Sequence, residues 1–443
     1  MIVFKIREVH NGFKKNKNFW EIGCSLIFEL MKLDFYCPNF DGILLLDKCR
    51  FKEAKRMFEI RSYLPTDIYF GVDILEKIPE KVKKLGKRAL IVTGRSSAKR
   101  TGLLQRVQDL LKKAGIESIV FDKAIPNPVM DIVDEGAELV KSEKIDFVIG
   151  LGGGSAVDTA KAIAMMATNE GKFWDYVSVG GGKTPEKALP IVAIPTTHGT
   201  GTEADPFAVI TNPDTKEKVG IGYDVTFPTI SFVDPKTMIT LPKDQTAYTS
   251  MDAFYHSIEA FLNKDANPYS DVLALDSMKR IVSNLTVAYE NGEDLEARTN
   301  LAWASTEAGI TETLTGVIAN HALEHGLSGF HPEIAHGLGL CVTGPYLFEH
   351  IFDHIYERLA IVGREVFGVV ETDDKRAGRL AIVKLREFQE LFGLNKKLRE
   401  LGVKEEELED MAKTAYRVLN KVVVKTPGNV NEKDLFEIFK MSY

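Results

Sequence analysis

The chain has 443 residues, beyond the roughly 250 to 300 at which single cores stop growing, so two domains are expected. Its 44% hydrophobic and 27% charged residues exclude a disordered, collagen-like or disulfide-scaffold protein. With 56 Lys plus Arg against 63 Asp plus Glu, the net charge of -7 offers no general basic field for a nucleic-acid backbone or an anionic membrane.

Residues 1–56 differ from the rest of the chain. Basic Lys14, Lys15 and Lys17 precede an apolar stretch from Trp20 to Leu33 that Glu21 and Glu29 interrupt, too short and too charged to span a bilayer and lacking a signal-peptide cleavage pattern. This segment is expected to be an extension outside the catalytic fold, with Met57 as the natural beginning. Cys24, Cys37 and Cys49 lie in it, leaving Cys341 alone in the remainder, which speaks against a disulfide framework and for a reducing cytoplasm.

From Met57 the text becomes regular. An extended segment precedes a helix-like stretch from Val72 to Leu85; "RALIVTG" (88–94) reads as a buried strand, followed by a helix with Leu103, Leu104, Val107, Leu110 and Leu111 on one face. "SIVFD" (118–122), an amphipathic stretch from Val133 to Lys141, "IDFVIGLGGG" (145–154) and "LPIVAIPTT" (189–197) continue the alternation. Apolar strands alternating with helices imply a parallel sheet covered on both faces. After "FVDP" (232–235) long helical patterns take over, as in Ala247 to Leu262 and Tyr269 to Ile281. The reading is an α/β domain over 57–240 and an all-α domain over 241–443, with a cleft between them.

"GLGGGSAVDTAK" (150–161) sets four glycines between a strand and a helix, where backbone N–H groups and the helix dipole favour a diphosphate. Ser155 and Asp158 also have the spacing of a helix N-cap and its partner. The glycines do not spell G-x-G-x-x-G and follow the third strand of the domain, not its first, which argues against an ordinary Rossmann fingerprint. A second polar loop, "PTTHGTGTEAD" (195–205), also follows a buried strand and is placed to line the same ligand.

Asp252 and His256 are four apart, hence on one helix face. Of nine histidines, four crowd together at His321, His325, His331 and His336. An Asp with three histidines from three helices suits Fe²⁺ or Zn²⁺, and ligand type does not separate the two metals.

In order and spacing, "GGGSAVDTAK" (152–161), "PTTHGTGTE" (195–203), "MDAFYHSIEA" (251–260) and "AHGLGL" (335–340) resemble the iron-containing, group III alcohol dehydrogenase family within the dehydroquinate synthase-like fold. The resemblance covers about Met57 to Tyr443. It implies an N-terminal parallel-sheet dinucleotide-binding domain, a C-terminal helical metal-binding domain, and Asp252, His256, His321 and His336 as metal ligands. It implies that Gly152, Gly153, Gly154, Ser155 and Asp158 form the diphosphate loop, and that Thr196, Thr197 and Thr200 form the second cofactor loop. Lys218 aligns with a lysine that reaches the cofactor ribose, the other reading being a solvated lysine in a turn, and His325 aligns with a histidine near the nicotinamide, here a catalytic proton relay or orienting group. "HALEHGLSG" departs from the commoner His-Pro or His-Gln pattern and is similar to the butanol dehydrogenase branch; His331 matches no ligand.

The implied activity is hydride transfer between a short-chain primary alcohol or aldehyde and a nicotinamide dinucleotide, in a homodimer that takes small molecules and neither nucleic acid nor membrane. The rival readings are a glycerol dehydrogenase or dehydroquinate synthase-type enzyme, and a non-catalytic nucleotide-binding protein. The strand "LIVTG" ends in Gly94 and not in a carboxylate, followed by Arg95, Ser96 and Ser97, with Lys99 near; this pattern is expected to prefer NADP(H) to NAD(H).

Overall fold

A computed structural model of the protein describes residues 60–443; the expected extension over 1–56, with Met57 and three of the cysteines, lies outside the described residues. The strands are β1 (Asp67–Phe70), β2 (Arg88–Gly94), β3 (Glu117–Ala124), β4 (Phe147–Gly152), β5 (Ile191–Pro195), β6 (Phe207–Asn212), β7 (Glu217–Gly222) and β8 (Ile230–Val233). Six form one sheet in the order β1-β8-β5-β4-β2-β3, and every pairing in it is parallel. The central strands are apolar throughout because both faces are covered. Leu90 and Val92 of β2 and Val148 of β4 enter the core on one side, and Ala89, Ile91, Phe147 and Ile149 enter the core on the other. Covering helices are α1 (Leu103–Lys113), α2 (Met130–Glu143) and α3 (Gly154–Met166).

The helical half comprises α4 (Lys243–Leu262), α5 (Pro268–Glu290), α6 (Leu295–Thr315), α7 (Ala319–Phe330), α8 (His336–His350), α9 (Phe352–Glu365), α10 (Asp374–Glu390), α11 (Leu408–Val418) and α12 (Glu432–Ser442). These helices share one apolar core that includes Phe254, Leu323, Leu340 and Phe439. The parallel-sheet half followed by a helical half is the fold class that the sequence implied, and residues 60–443 pack as one compact unit.

Three local expectations change. The stretch from Val72 to Leu85 is a 3₁₀ turn (Ile74–Lys77) running into a five-residue helix (Ile78–Val82), with Pro79 restricting its first turn. Asp67–Phe70 pairs with β8, so the glycine-rich loop follows the fourth strand of the sheet and not the third. The antiparallel pair β6–β7 was not read from the sequence, and it places Lys218 on a strand with 5% exposure where a solvated turn was one reading.

Candidate active site

The chain runs from β2 outward to β3, then returns to β4 on the opposite side of β2. At such a reversal the loops diverge and leave a crevice beyond the carboxyl ends of the strands. Gly94 ends β2 there, Ser96 and Ser97 open the short helix Ser97–Arg100, and Gly152 ends β4. Lys99 is engaged, its Nζ 2.5 Å from Asp122 Oδ2 on the neighbouring strand β3.

Gly152 has φ 154°, a backbone region that side chains rarely adopt. A Cβ on Gly154 would overlap Thr200 Cγ2, and one on Gly153 would lie 3.2 Å from Thr197 Cγ2. Glycine is therefore what lets the loop after β5 dock on the N-terminus of α3, and the Thr196 N–H donates to Gly152 O at 2.8 Å. The capping alternative for Ser155 and Asp158 does not hold. Gly153 is the N-cap, Ser155 stands inside the helix, and buried Asp158 accepts from Thr202 Oγ1 at 2.7 Å and from the Val209 N–H at 3.0 Å. The loop after β5, the β6–β7 hairpin and α3 are thereby tied at a single carboxylate.

Ser155, Asp158 and Thr200 line one cleft with Lys218, His256, Glu312, His321, His325 and His336. Helices α4, α7 and α8 supply its polar floor. Asp252 Oδ1 lies 3.4 Å from His336 Nε2 and 4.0 Å from His321 Nε2, and the three donor atoms are mutually within 4.8 Å. His256 adjoins this group without joining it. Its ring is 4.3 Å from that of His321, its Nδ1–H donates to Asp252 O at 2.9 Å, and its Nε2 lies 3.4 Å from Glu312 Oε2.

The tautomers follow from the acceptors. His321 Nδ1 lies 2.8 Å from Glu259 Oε1; with Glu259 ionised, as beside a bound cation, the proton is on Nδ1 and the Nε2 lone pair faces Asp252. His325 Nδ1–H donates to the Lys218 carbonyl at 3.1 Å, which leaves its Nε2 as acceptor. Burial pushes His256 down to about 3 and holds His321 and His325 well below the usual imidazole range, so all three are neutral near pH 7. Burial raises Glu259 well above the ordinary carboxylate range, against the pull of the Ile318 and His321 N–H donors.

Asp252 Oδ1 and His321 Nε2 are buried without a hydrogen-bond partner. Each such atom costs about 1–3 kcal/mol, and two acceptors facing one another are tolerated where a cation satisfies both. A carboxylate oxygen with imidazole nitrogens fits a divalent transition metal. His331 stands apart, its ring nitrogens at Glu333 and Glu407. Sequence reading passed over Glu259, Glu312 and Glu324. For Glu259 the available signal was its position seven residues after Asp252 on the same face of α4; for Glu324 it was the HxxEH spacing itself.

Residues 65–235 match the family model described as iron-containing alcohol dehydrogenase, and 246–443 match the Fe-containing alcohol dehydrogenase family, C-terminal. The chain is 35% identical over 394 residues to NADH-dependent butanol dehydrogenase A of Clostridium acetobutylicum, covering 86% of this chain and 98% of that protein. It is 35% identical to the NAD-dependent methanol dehydrogenase of Bacillus methanolicus, covering 85% and 98%. Among solved structures, an archaeal halo-thermophilic alcohol dehydrogenase from a Red Sea brine pool superposes with a TM-score of 0.85 at 37% identity, covering 88% of this chain and 100% of that one. NADH-dependent butanol dehydrogenase A of Thermotoga maritima superposes with a TM-score of 0.81 at 33% identity, covering 87% and 99%.

Proposed function

Because this chain belongs to the iron-containing alcohol dehydrogenase family, we propose that it exchanges a hydride between a short-chain primary alcohol or its aldehyde and a nicotinamide dinucleotide. The observation that carries the reading is the facing pair of unpartnered buried acceptors, Asp252 Oδ1 and His321 Nε2, in a cleft that also reaches Ser155 and Thr200. When bound, a divalent metal supplies Lewis acidity toward the substrate oxygen, and the dinucleotide supplies the hydride exchange.

The chain's own residues do the rest. Asp252, His321 and His336 would hold the metal, Fe²⁺ ahead of Zn²⁺, and His256, the fourth ligand that the family resemblance implies, lies beside them with Nδ1 on the Asp252 carbonyl and Nε2 toward Glu312. His325, its Nδ1–H fixed on the Lys218 carbonyl, keeps Nε2 free to take or return the hydroxyl proton. Gly152, Gly153, Gly154 and the N-terminus of α3 receive the diphosphate, with Thr196, Thr197 and Thr200 beside it. Phe207, Val209, Val317 and Val422 give the cleft an apolar wall suited to an alkyl chain.

For the coenzyme, Gly94 leaves no carboxylate at the end of β2 to repel a 2′-phosphate, which was the ground for expecting NADP(H). Two findings weigh against a preference: Lys99 is held by Asp122, and the relatives bear the names NADH-dependent and NAD-dependent. The reading that fits both is a site admitting either dinucleotide, with Ser96, Ser97 and Arg95 as the remaining contacts for a 2′-phosphate. The proposal includes a homodimer, which the family resemblance implies, and a cytoplasmic location, for which the scarcity of cysteines after Met57 speaks. Steady-state rates on butanol, butyraldehyde and glycerol with each coenzyme, after loading with Fe²⁺ or Zn²⁺, test the function. Turnover confined to glycerol, or none on any primary alcohol, defeats it.

A further inference from the structure

Glu324 is fully buried and stands between His321 and His325 in α7. Its carboxylate collects three donors from three different elements. Lys218 Nζ on β7 donates to Oε2 at 3.1 Å, Ser328 Oγ–H one turn along α7 donates to Oε1, and His336 Nδ1 on α8 donates to Oε2. Gly339, one turn into α8, leaves room for this approach, since a Cβ there would lie 3.0 Å from Glu324 Cγ. The arrangement repeats at His336 what Glu259 does at His321: a buried carboxylate takes the Nδ1–H and leaves Nε2 turned toward Asp252 Oδ1.

Glu324, His325 and His336 also bring donor atoms close enough to hold a cation of their own. The Lys218 ammonium already fills that place, 3.1 Å from Glu324 Oε2 and 3.3 Å from His336 Nδ1. The carboxylate thus has a permanent counter-charge and is kept from competing for the metal. We propose that Glu324, neutralised by Lys218, is a positioning residue that orients His336 toward the metal and raises the affinity of the site, without being a ligand. The inference rests on the proposed metal site. Hydrogen-bonded carboxylates behind ligating histidines typically change metal affinity by about 10- to 100-fold when removed.

The test uses the full chain stripped of metal. Co²⁺ and Zn²⁺ dissociation constants are measured by competition with a chromophoric chelator, alongside the Co²⁺ visible spectrum, thermal unfolding of the metal-free protein and NADH binding by fluorescence. Glu324→Gln is expected to bind both ions about 10- to 100-fold more weakly with an altered Co²⁺ spectrum, while NADH binding is kept. Glu324→Gln leaves Lys218 without its counter-charge, so the double variant Lys218→Met/Glu324→Gln is measured in parallel for its metal affinity, with the same loss expected. Unaltered affinity and spectrum in either folded variant overturn the inference while leaving the site intact. A failure of the unaltered chain to take up either ion overturns the site itself, and the inference with it.

Discussion

Asp252 Oδ1 and His321 Nε2, two buried atoms without a hydrogen-bond partner, lie 4.0 Å apart. If they serve a metal, Asp252→Asn and His321→Ala both lose it and lose turnover, and NADH binding changes by less than about threefold because the diphosphate loop lies on other elements. Metal content by mass spectrometry and fluorescence titration with NADH check this; full metal retention in either variant contradicts the ligand assignment. His325→Ala is expected to keep the metal and to lower kcat by about 10²- to 10⁴-fold, the range for a positioned acid–base group. A metal-free His325→Ala protein would show that His325 is itself a ligand. The crowding of histidines between 321 and 336 was legible in the sequence. Their Nδ1 partners were not, because Glu259 reaches His321 and the Lys218 carbonyl reaches His325 across 62 and 107 residues of chain, and no local periodicity encodes such pairs.

Loops and helices are joined at a second buried cluster. His198, in the loop after β5, accepts from Arg298 Nη1 of α6 at 2.8 Å and faces Ser250 Oγ of α4 with its Nδ1 at 3.2 Å. Burial, then the Arg298 charge, pushes its pKa down to about 3. Between pH 3 and 6.5 the unfolded chain binds a proton here that the folded one refuses, so stability is complete above pH 6.5 and falls as the pH drops, by about 2 kcal/mol at pH 5. His198→Asn should reduce the loss of unfolding free energy between pH 7.5 and 5 by about that amount; equal losses in both proteins contradict the assignment.

On the neighbouring loop, Gly154→Ala forces a Cβ into Thr200. It should cost about 1–3 kcal/mol and weaken NADH binding, whereas helix propensity alone would stabilise it, so the sign of the melting-temperature change decides. At the edge of the crevice, Asp122→Asn releases Lys99 and should raise the NADPH-to-NADH ratio of kcat/KM; an unchanged ratio places Lys99 outside the coenzyme site. The βα alternation was readable because buried parallel strands are continuous apolar runs. The β6–β7 hairpin was missed because its strands mix buried Lys218, Glu217 and Thr211 with apolar residues, and Lys218 is satisfied only by a distant partner.

At the scale of the molecule, no helix among the described residues is long and apolar enough to cross a membrane. The sheet carries an apolar core on each face, and the helices of the second half share one large core. A chain beginning at Met57 is expected to keep its activity and melting temperature, and an inactive or insoluble one would make residues 1–56 part of the working fold. The central claim is a metal that Asp252 and the histidines hold and that the reaction requires. Untagged protein is stripped with chelator, assayed for butyraldehyde reduction, and reloaded with Fe²⁺ or Zn²⁺ while metal content is counted. The account predicts that activity falls with metal removal and returns in proportion to metal up to one ion per chain; undiminished turnover in the metal-free protein would contradict it.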